Sequence, residues 1–301
     1  MTDAVLPVIT IGGYLGSGKT TLLNNLLRRA DGRRLAVLVN EFGELPIDED
    51  LIVAEDENMI SIAGGCICCS FGNDLIGALN ELAMLDPPPD YVVIESSGVA
   101  IPGAIVSTFS LIDGFRSDGI VVVVDGETVQ AAAKDDYIGD TITRQLSDAE
   151  IVLVNKLDLV EPEQEKDLAS WLSEMAPDAA QVPARFGDVA PETILGVVAE
   201  PSTGHTAPHS DAQFESMILR PNDDVDASLL AQDLATGGYG VIRAKGYVAG
   251  AEGQTWLIQT VGRRWQAEQA PGHGVTGIVC LGLRGLLLRD QVGKLAIDCC
   301  G

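Results

Sequence analysis

The stretch GGYLGSGKTT, residues 12–21, constrains this chain more than any other. It follows an apolar run, VLPVITI at 5–11, and opens a helical pattern over 19–30. Within it, Gly13-Tyr14-Leu15-Gly16-Ser17-Gly18-Lys19-Thr20 satisfies G-x-x-x-x-G-K-[ST], in the strand–loop–helix setting that the motif's mechanism requires. Glycines let backbone N–H groups turn inward around phosphate oxygens, and the helix start adds the positive end of its dipole. The expected nucleotide-contacting residues are Gly13, Gly16, Ser17, Gly18, Lys19, Thr20 and Thr21. Lys19 is expected to reach the β- and γ-phosphates, and Thr20 to turn its hydroxyl to Mg²⁺.

Four further apolar runs recur with helical patterns between them: LAVLVN (35–40), YVVIE (91–95), IVVVVD (120–125) and IVLVN (151–155). They are rich in β-branched residues and continuous rather than alternating, as buried parallel strands are when helices cover both faces. Helices are predicted over 19–30, 73–85, 140–149 and 163–176. The alternation gives an α/β fold class: a P-loop domain with a mostly parallel, doubly wound sheet. The stretch AEPSTGHTAPHSDAQ (199–213) has linker composition. Beyond it, short strand-like runs at SMILRP, YGVIRAKGYVAG, QTWLIQTVG and GIVCLGLR, with a helix near 225–236, predict a smaller α+β domain. The expected organisation is a nucleotide domain over 1–198, a linker over 199–213 and a second domain over 214–301.

Two strand ends carry further nucleotide signals. Asn155-Lys156-Leu157-Asp158 follows IVLV on the sheet edge where nucleotides bind. A carboxylate at Asp158 can accept from both the ring N–H and the 2-amino group of guanine, whereas adenine would leave it unpaired. Paired with the phosphate loop, this N-K-x-D predicts GTP over ATP. Glu95 closes YVVIE where a second Mg²⁺-directed carboxylate is expected, and Gly98, three residues on, can offer its backbone N–H to a γ-phosphate.

Composition narrows the setting. With 44 acidic against 19 basic residues and a formal charge of −25, the surface repels phosphodiester backbones, so nucleic acid is not an expected partner. No apolar run is long enough to span a membrane, and the start lacks a secretory pattern, so a cytoplasmic location is expected. There, crowded cysteines suggest metal or catalysis before disulfides.

GGCICCS, residues 64–70, places three of the six cysteines within four positions. In an extended chain Cys66 and Cys68 point to one side, with α-carbons about 6.6 Å apart. Two thiolates on tetrahedral Zn²⁺ lie roughly 3.8 Å apart, a gap that side-chain rotation closes. Cys69 joins them only if the backbone turns, which Gly64-Gly65 permits. Thiolates suit Zn²⁺, Cu⁺ or Co²⁺ better than Mg²⁺; small core residues or a redox thiol are the other readings. Cys280, in an apolar run, is expected in the core. Cys299 and Cys300 are an accessory metal site, a redox pair or frayed surface cysteines without a role.

Together these features resemble the CobW-like GTPases, P-loop GTPases that act as metallochaperones. The resemblance rests on GGYLGSGKTTLLN, NEFGE (40–44), GGCICCS, ESSG…P (95–102), QLSDAEIVLVNKLDL (145–159) and the carboxy-terminal GVIRAKGYV, and so covers nearly the whole chain. It implies that Lys19 and Thr20 bind phosphate and Mg²⁺, that Glu41 lies in switch I beside the Mg²⁺ that Thr20 and Glu95 hold, and that Asn155, Lys156 and Asp158 form the guanine site. It further implies that Lys19, Glu95 and Gly98 serve hydrolysis, and that Cys66, Cys68 and Cys69 hold a cargo metal, Zn²⁺ or Co²⁺, for a client metalloprotein. Two departures stand out: Pro46 in the switch I segment, and a linker carrying only His205 and His209 in place of a His-rich tract. Cobalt delivery to cobalamin or a metalloenzyme, a regulatory GTPase with a structural Zn²⁺ site, and a metal sensor with a structural nucleotide are the competing functions.

Overall fold

The computed structural model describes residues 5–30, 32–39, 59–62, 73–196, 214–221, 225–250, 253–270 and 276–298. The chain divides into two compact units, Met1–Pro177 with Gln181–Val189, and Asp178–Ala180 with Ala190–Gly301.

In the first unit the apolar runs become strands: β1 (Leu6–Gly12), followed by α1 (Lys19–Arg28), then β2 (Leu35–Val39) and β3 (Met59–Ile62). Next come α2 (Asn73–Ala83), β4 (Tyr91–Glu95), α3 (Pro102–Phe109), β5 (Phe115–Asp125), α4 (Val129–Ala132), α5 (Gly139–Asp148), β6 (Ile151–Asn155), α6 (Pro162–Met175) and β7 (Ala180–Pro183). The strand order is β3-β2-β4-β1-β5-β6-β7. Pairings of β1 with β4 and β5, of β2 with β3 and β4, and of β5 with β6 are parallel. Both β4 and β6 are buried at every position, which is why their sequences run apolar without alternation. On one face Val8, Leu38, Val92 and Ile94 pack with Leu75, Leu79 and Leu82 of α2 and Ile105 and Phe109 of α3.

Register determines what the sheet presents at its carboxyl edge. Ile11 pairs with Glu95, Gly12 with Val122, and Asp125 with Asn155. The chain leaves β1 toward β2 on one side while β5 continues on the other, so the phosphate-loop sequence lies at the point where strand order reverses.

Some elements differ from the sequence expectation. β5 begins at Phe115, because FRSDG pairs with the start of β1 across a bulge at Val8/Ile9. β3, β7 and α3 carry weak local signals: the two strands have four residues each, and α3 is rich in β-branched residues. Pro102 at its first turn and burial of Ile105 and Phe109, one turn apart, give that helix its place.

In the second unit α7 (Pro191–Leu195) precedes β8 (Phe214–Leu219), α8 (Ala227–Thr236), β9 (Val241–Ala249), β10 (Thr255–Val261), β11 (Arg264–Ala270), β12 (Gly277–Leu283) and α9 (Arg289–Asp298). The five strands form an antiparallel sheet in the order β11-β10-β9-β12-β8. The fold is thus a parallel P-loop α/β domain with an antiparallel α+β domain following it. Asp226 caps α8, its side chain accepting from the Ser228 and Leu229 N–H groups. The core gathers Leu230 and Leu234 of α8, Val292 and Leu295 near the carboxyl end, and Ala244, Ile258, Ile278 and Cys280 of the sheet. The edge strand β11, RWQAEQA, and α9 escaped the sequence reading; an edge strand facing water on much of its surface has no apolar run to betray it.

Cys280 is fully buried, as its apolar run suggested, and burial pushes its thiol up to about 12. A thiolate-directed alkylating reagent at pH 8 should therefore leave the Cys280 peptide unmodified in the folded protein and modify it in denaturant, read by mass spectrometry. Rapid native labelling would remove Cys280 from the core.

Candidate functional site

At the carboxyl edge of the first sheet, the loop after β1 is shaped by its glycines. Gly13, Gly16 and Gly18 have φ of 130°, 74° and 104°. A side chain at Gly13 would run into the Val123 carbonyl oxygen, and one at Gly18 into the Asn155 amide. Those two positions need both the left-handed backbone and the missing Cβ. The Ser17 N–H turns back to Tyr14 O at 3.2 Å, and the loop delivers directly into the first turn of α1.

Lys19 is only 8% exposed, with its Nζ 3.4 Å from Tyr14 O. Thr20 Oγ1 donates to Glu95 Oε1 at 3.0 Å, joining α1 to the end of β4 across 75 residues of chain. Glu95 is 5% exposed. A hydroxyl and a carboxylate side by side make a hard-oxygen donor set that suits Mg²⁺. The glycine-shaped loop at a helix start, with Ser17 Oγ buried and without a hydrogen-bond partner among the described residues, suits phosphate oxygens. The residues present therefore fit a Mg²⁺-nucleotide.

Asn155 and its neighbours form the second half of the site. Asn155 is 2% exposed; its Nδ2 donates to Ser17 O at 3.0 Å and its Oδ1 accepts from the Gly187 N–H at 2.9 Å. One side chain thus brackets the phosphate loop to the loop after β7. Lys156 takes a left-handed backbone, φ 59°, and its Nζ lies 2.7 Å from Asp125 Oδ2. Asp158 sits in a short 3₁₀ turn, Leu157–Leu159, exposed and without a partner among the described residues.

Gly13, Gly16, Ser17, Gly18, Lys19, Thr20, Thr21, Glu95, Gly98, Asn155, Lys156 and Asp158 all gather at this sheet edge. Glu41, Pro46, Cys66, Cys68, Cys69, His205, His209, Cys299 and Cys300 lie outside the described residues. Among the described residues, no cluster of three or more His, Cys, Asp or Glu could hold a metal. No helix among them is long and apolar enough to cross a membrane. The sequence reading gave no role to Asp125, Gln145 or Gly187; Asp125 at least carries a signal, ending a buried strand at the same edge as Asn155.

Replacing Asn155 with Ala should leave Ser17 O and Gly187 N–H unpaired in a buried place, at a cost of roughly 1–3 kcal/mol. The expected result is a lowered denaturation midpoint for the nucleotide-free protein; an unchanged midpoint would show that the bracket holds nothing.

The chain is 29% identical to a protein named zinc chaperone CobW from Sinorhizobium sp., over 93% of this chain and 94% of that one. It is 32% identical to a zinc chaperone CobW of Pseudomonas aeruginosa, over 66% of this chain and 62% of that one. Overlay on the Zn(II)-bound YjiA GTPase of E. coli covers 98% of this chain and 99% of the other, at 22% identity and a TM-score of 0.46. The profile of the CobW/HypB/UreG nucleotide-binding domain matches residues 7–183. This chain belongs to the CobW/HypB/UreG family of nucleotide-binding proteins.

Proposed function

We propose that this protein is a GTP-hydrolysing metallochaperone, which holds a transition metal at its C-x-C-C segment and releases it to a client metalloprotein when GTP is hydrolysed. The observation that carries the reading is the Thr20–Glu95 pair at the mouth of the phosphate loop, in a chain whose relatives are named zinc chaperones. Zn²⁺ is the proposed cargo, with Cys66, Cys68 and Cys69 as its ligands. Co²⁺ shares their thiolate preference.

In this reading the Gly13–Thr21 loop and Lys19 bind the phosphates, and Thr20, Glu95 and Glu41 hold Mg²⁺. That ion, when bound, supplies charge neutralisation across the β- and γ-phosphates. Gly98 offers its N–H to the γ-phosphate. Asp158 accepts from the guanine edge, Asn155 keeps the phosphate loop in register with the base side, and Lys156 flanks the base. Among the described residues no glutamine or arginine is assigned to orient the attacking water or to act as a finger; slow intrinsic hydrolysis that responds to metal or a partner belongs to this proposal. The nucleotide domain spans 1–198, the linker 199–213 and the second domain 214–301. The cytoplasm, which keeps thiols reduced, is the fitting location.

Release on hydrolysis requires that metal bind the GTP state better than the GDP state, and by reciprocity metal must tighten GTP binding by the same factor. A ratio of about 100 corresponds to about 2.7 kcal/mol of coupling. The test is Zn²⁺ affinity by chelator competition in Mg²⁺ with a non-hydrolysable GTP analogue or with GDP, repeated with Co²⁺. Much tighter binding in the GTP-like state is expected. The double variant Cys66→Ser, Cys68→Ser should lose tight metal binding and keep nucleotide binding. Equal affinity in both nucleotide states would replace the carrier with a GTPase holding a structural metal, and undiminished binding by the double variant would move the metal elsewhere.

A further inference from the structure

Gln145, on α5, is 1% exposed and faces the segment that follows β4. Its Nε2 donates to Gly98 O at 3.1 Å and to Ala100 O at 2.8 Å. Both partners are carbonyl oxygens, so the NH₂ end of the amide faces them and both of its hydrogens are engaged. The Ala100 N–H closes the same turn onto Ser97 O at 3.0 Å. Three residues along α5, and on the same face, Asp148 Oδ2 accepts from the Gly103 N–H at 2.8 Å in the first turn of α3. Residues 98–103 are therefore tied to one helix at three backbone atoms.

From the other side, the phosphate loop presses on the same turn. A Cβ on Gly98 would lie 2.5 Å from Leu15 Cδ2 and 2.8 Å from the Leu15 backbone nitrogen. Gly98 is thus held between the Gln145 amide and the phosphate loop. Its carbonyl is engaged, while its N–H has no acceptor among the described residues. An amide hydrogen fixed in direction beside a phosphate loop is a preorganised donor, and such donors act without reorganisation when a ligand arrives.

We propose that Gln145 is a positioning residue for γ-phosphate recognition: by locking the turn 97–100 against Leu15, it aims the Gly98 N–H so that the site distinguishes a nucleoside triphosphate from a diphosphate. This rests on the reading of the site as a GTP site and adds to it the residue that sets its discrimination. A merely structural glutamine would affect both nucleotides alike, because its loss would loosen the whole loop region. A positioning glutamine affects only the ligand that reaches Gly98.

The test uses the full chain in Mg²⁺, with equilibrium binding of a fluorescent non-hydrolysable GTP analogue and of fluorescent GDP. Gln145→Met keeps the side-chain length and removes both donors. The analogue should bind about ten-fold more weakly and GDP within about two-fold of wild type, as expected for one misdirected hydrogen bond to a charged group. Equal losses for the two nucleotides, or none for either, would overturn the proposal. Should circular dichroism show Gln145→Met unfolded, Gln145→Asn decides: it keeps the amide but withdraws it by one methylene, and the same selective loss is required of it. Wild-type protein that binds neither nucleotide would overturn the GTP reading itself, a result distinct from a folded variant with parallel losses.

Discussion

A loop that wraps anions with its own N–H groups leaves those groups unsatisfied, so it cannot hold itself in shape and must be held from outside. Here the holding is done by groups far away in sequence. The Val123 carbonyl and the Asn155 amide close on the loop where Gly13 and Gly18 leave room. Asn155 fixes the Ser17 carbonyl from 138 residues away, Glu95 receives the Thr20 hydroxyl, and Gly98 lies against Leu15. Each of these groups sits at the carboxyl end of a buried parallel strand or just beyond it. The hydrophobic sheet is accordingly the device that brings the polar groups to one edge, and its register decides which of them meet.

That logic explains what could be read from the chain directly. Continuous apolar strands are legible because burial on both faces demands them, and residues at their ends, such as Glu95 and Asn155, inherit a location from the strand. The phosphate loop is legible because its glycines answer a local backbone requirement. Asn155 is a clearer case of partial legibility: its position could be assigned, but its engagement of Gly187 depends on where the chain goes after β7, which no local pattern encodes. Gln145 and Asp148 sit on α5 like any polar residues of an amphipathic helix. Their partners at Gly98, Ala100 and Gly103 become apparent only once α5 packs beside the β4–α3 turn. α3 itself, poor in helix formers, owes its place to that packing.

The second domain shows the reverse balance. β9 and β10 are each buried through five consecutive positions, whereas β8 alternates and the edge strand β11 reads as polar sequence, so the hairpin that joins β11 to β10 had to be seen in three dimensions. The core beneath is nonetheless conventional in composition, with Leu230 and Leu234 from α8 set over Ala244, Ile258 and Ile278.

The Lys156–Asp125 ion pair has a consequence for how an elongated ligand can enter. A molecule with an anionic tail and a neutral head could in principle lie in a cleft either way round, if cations waited at both ends. Here the lysine beside Asp158 is matched by its own carboxylate, Asp125, 2.7 Å away. The Lys156 end of the cleft therefore offers an incoming anionic tail little net positive charge. A single half-buried carboxylate at the end of β5 thus makes this end a poor seat for an anion, which disfavours the reversed orientation.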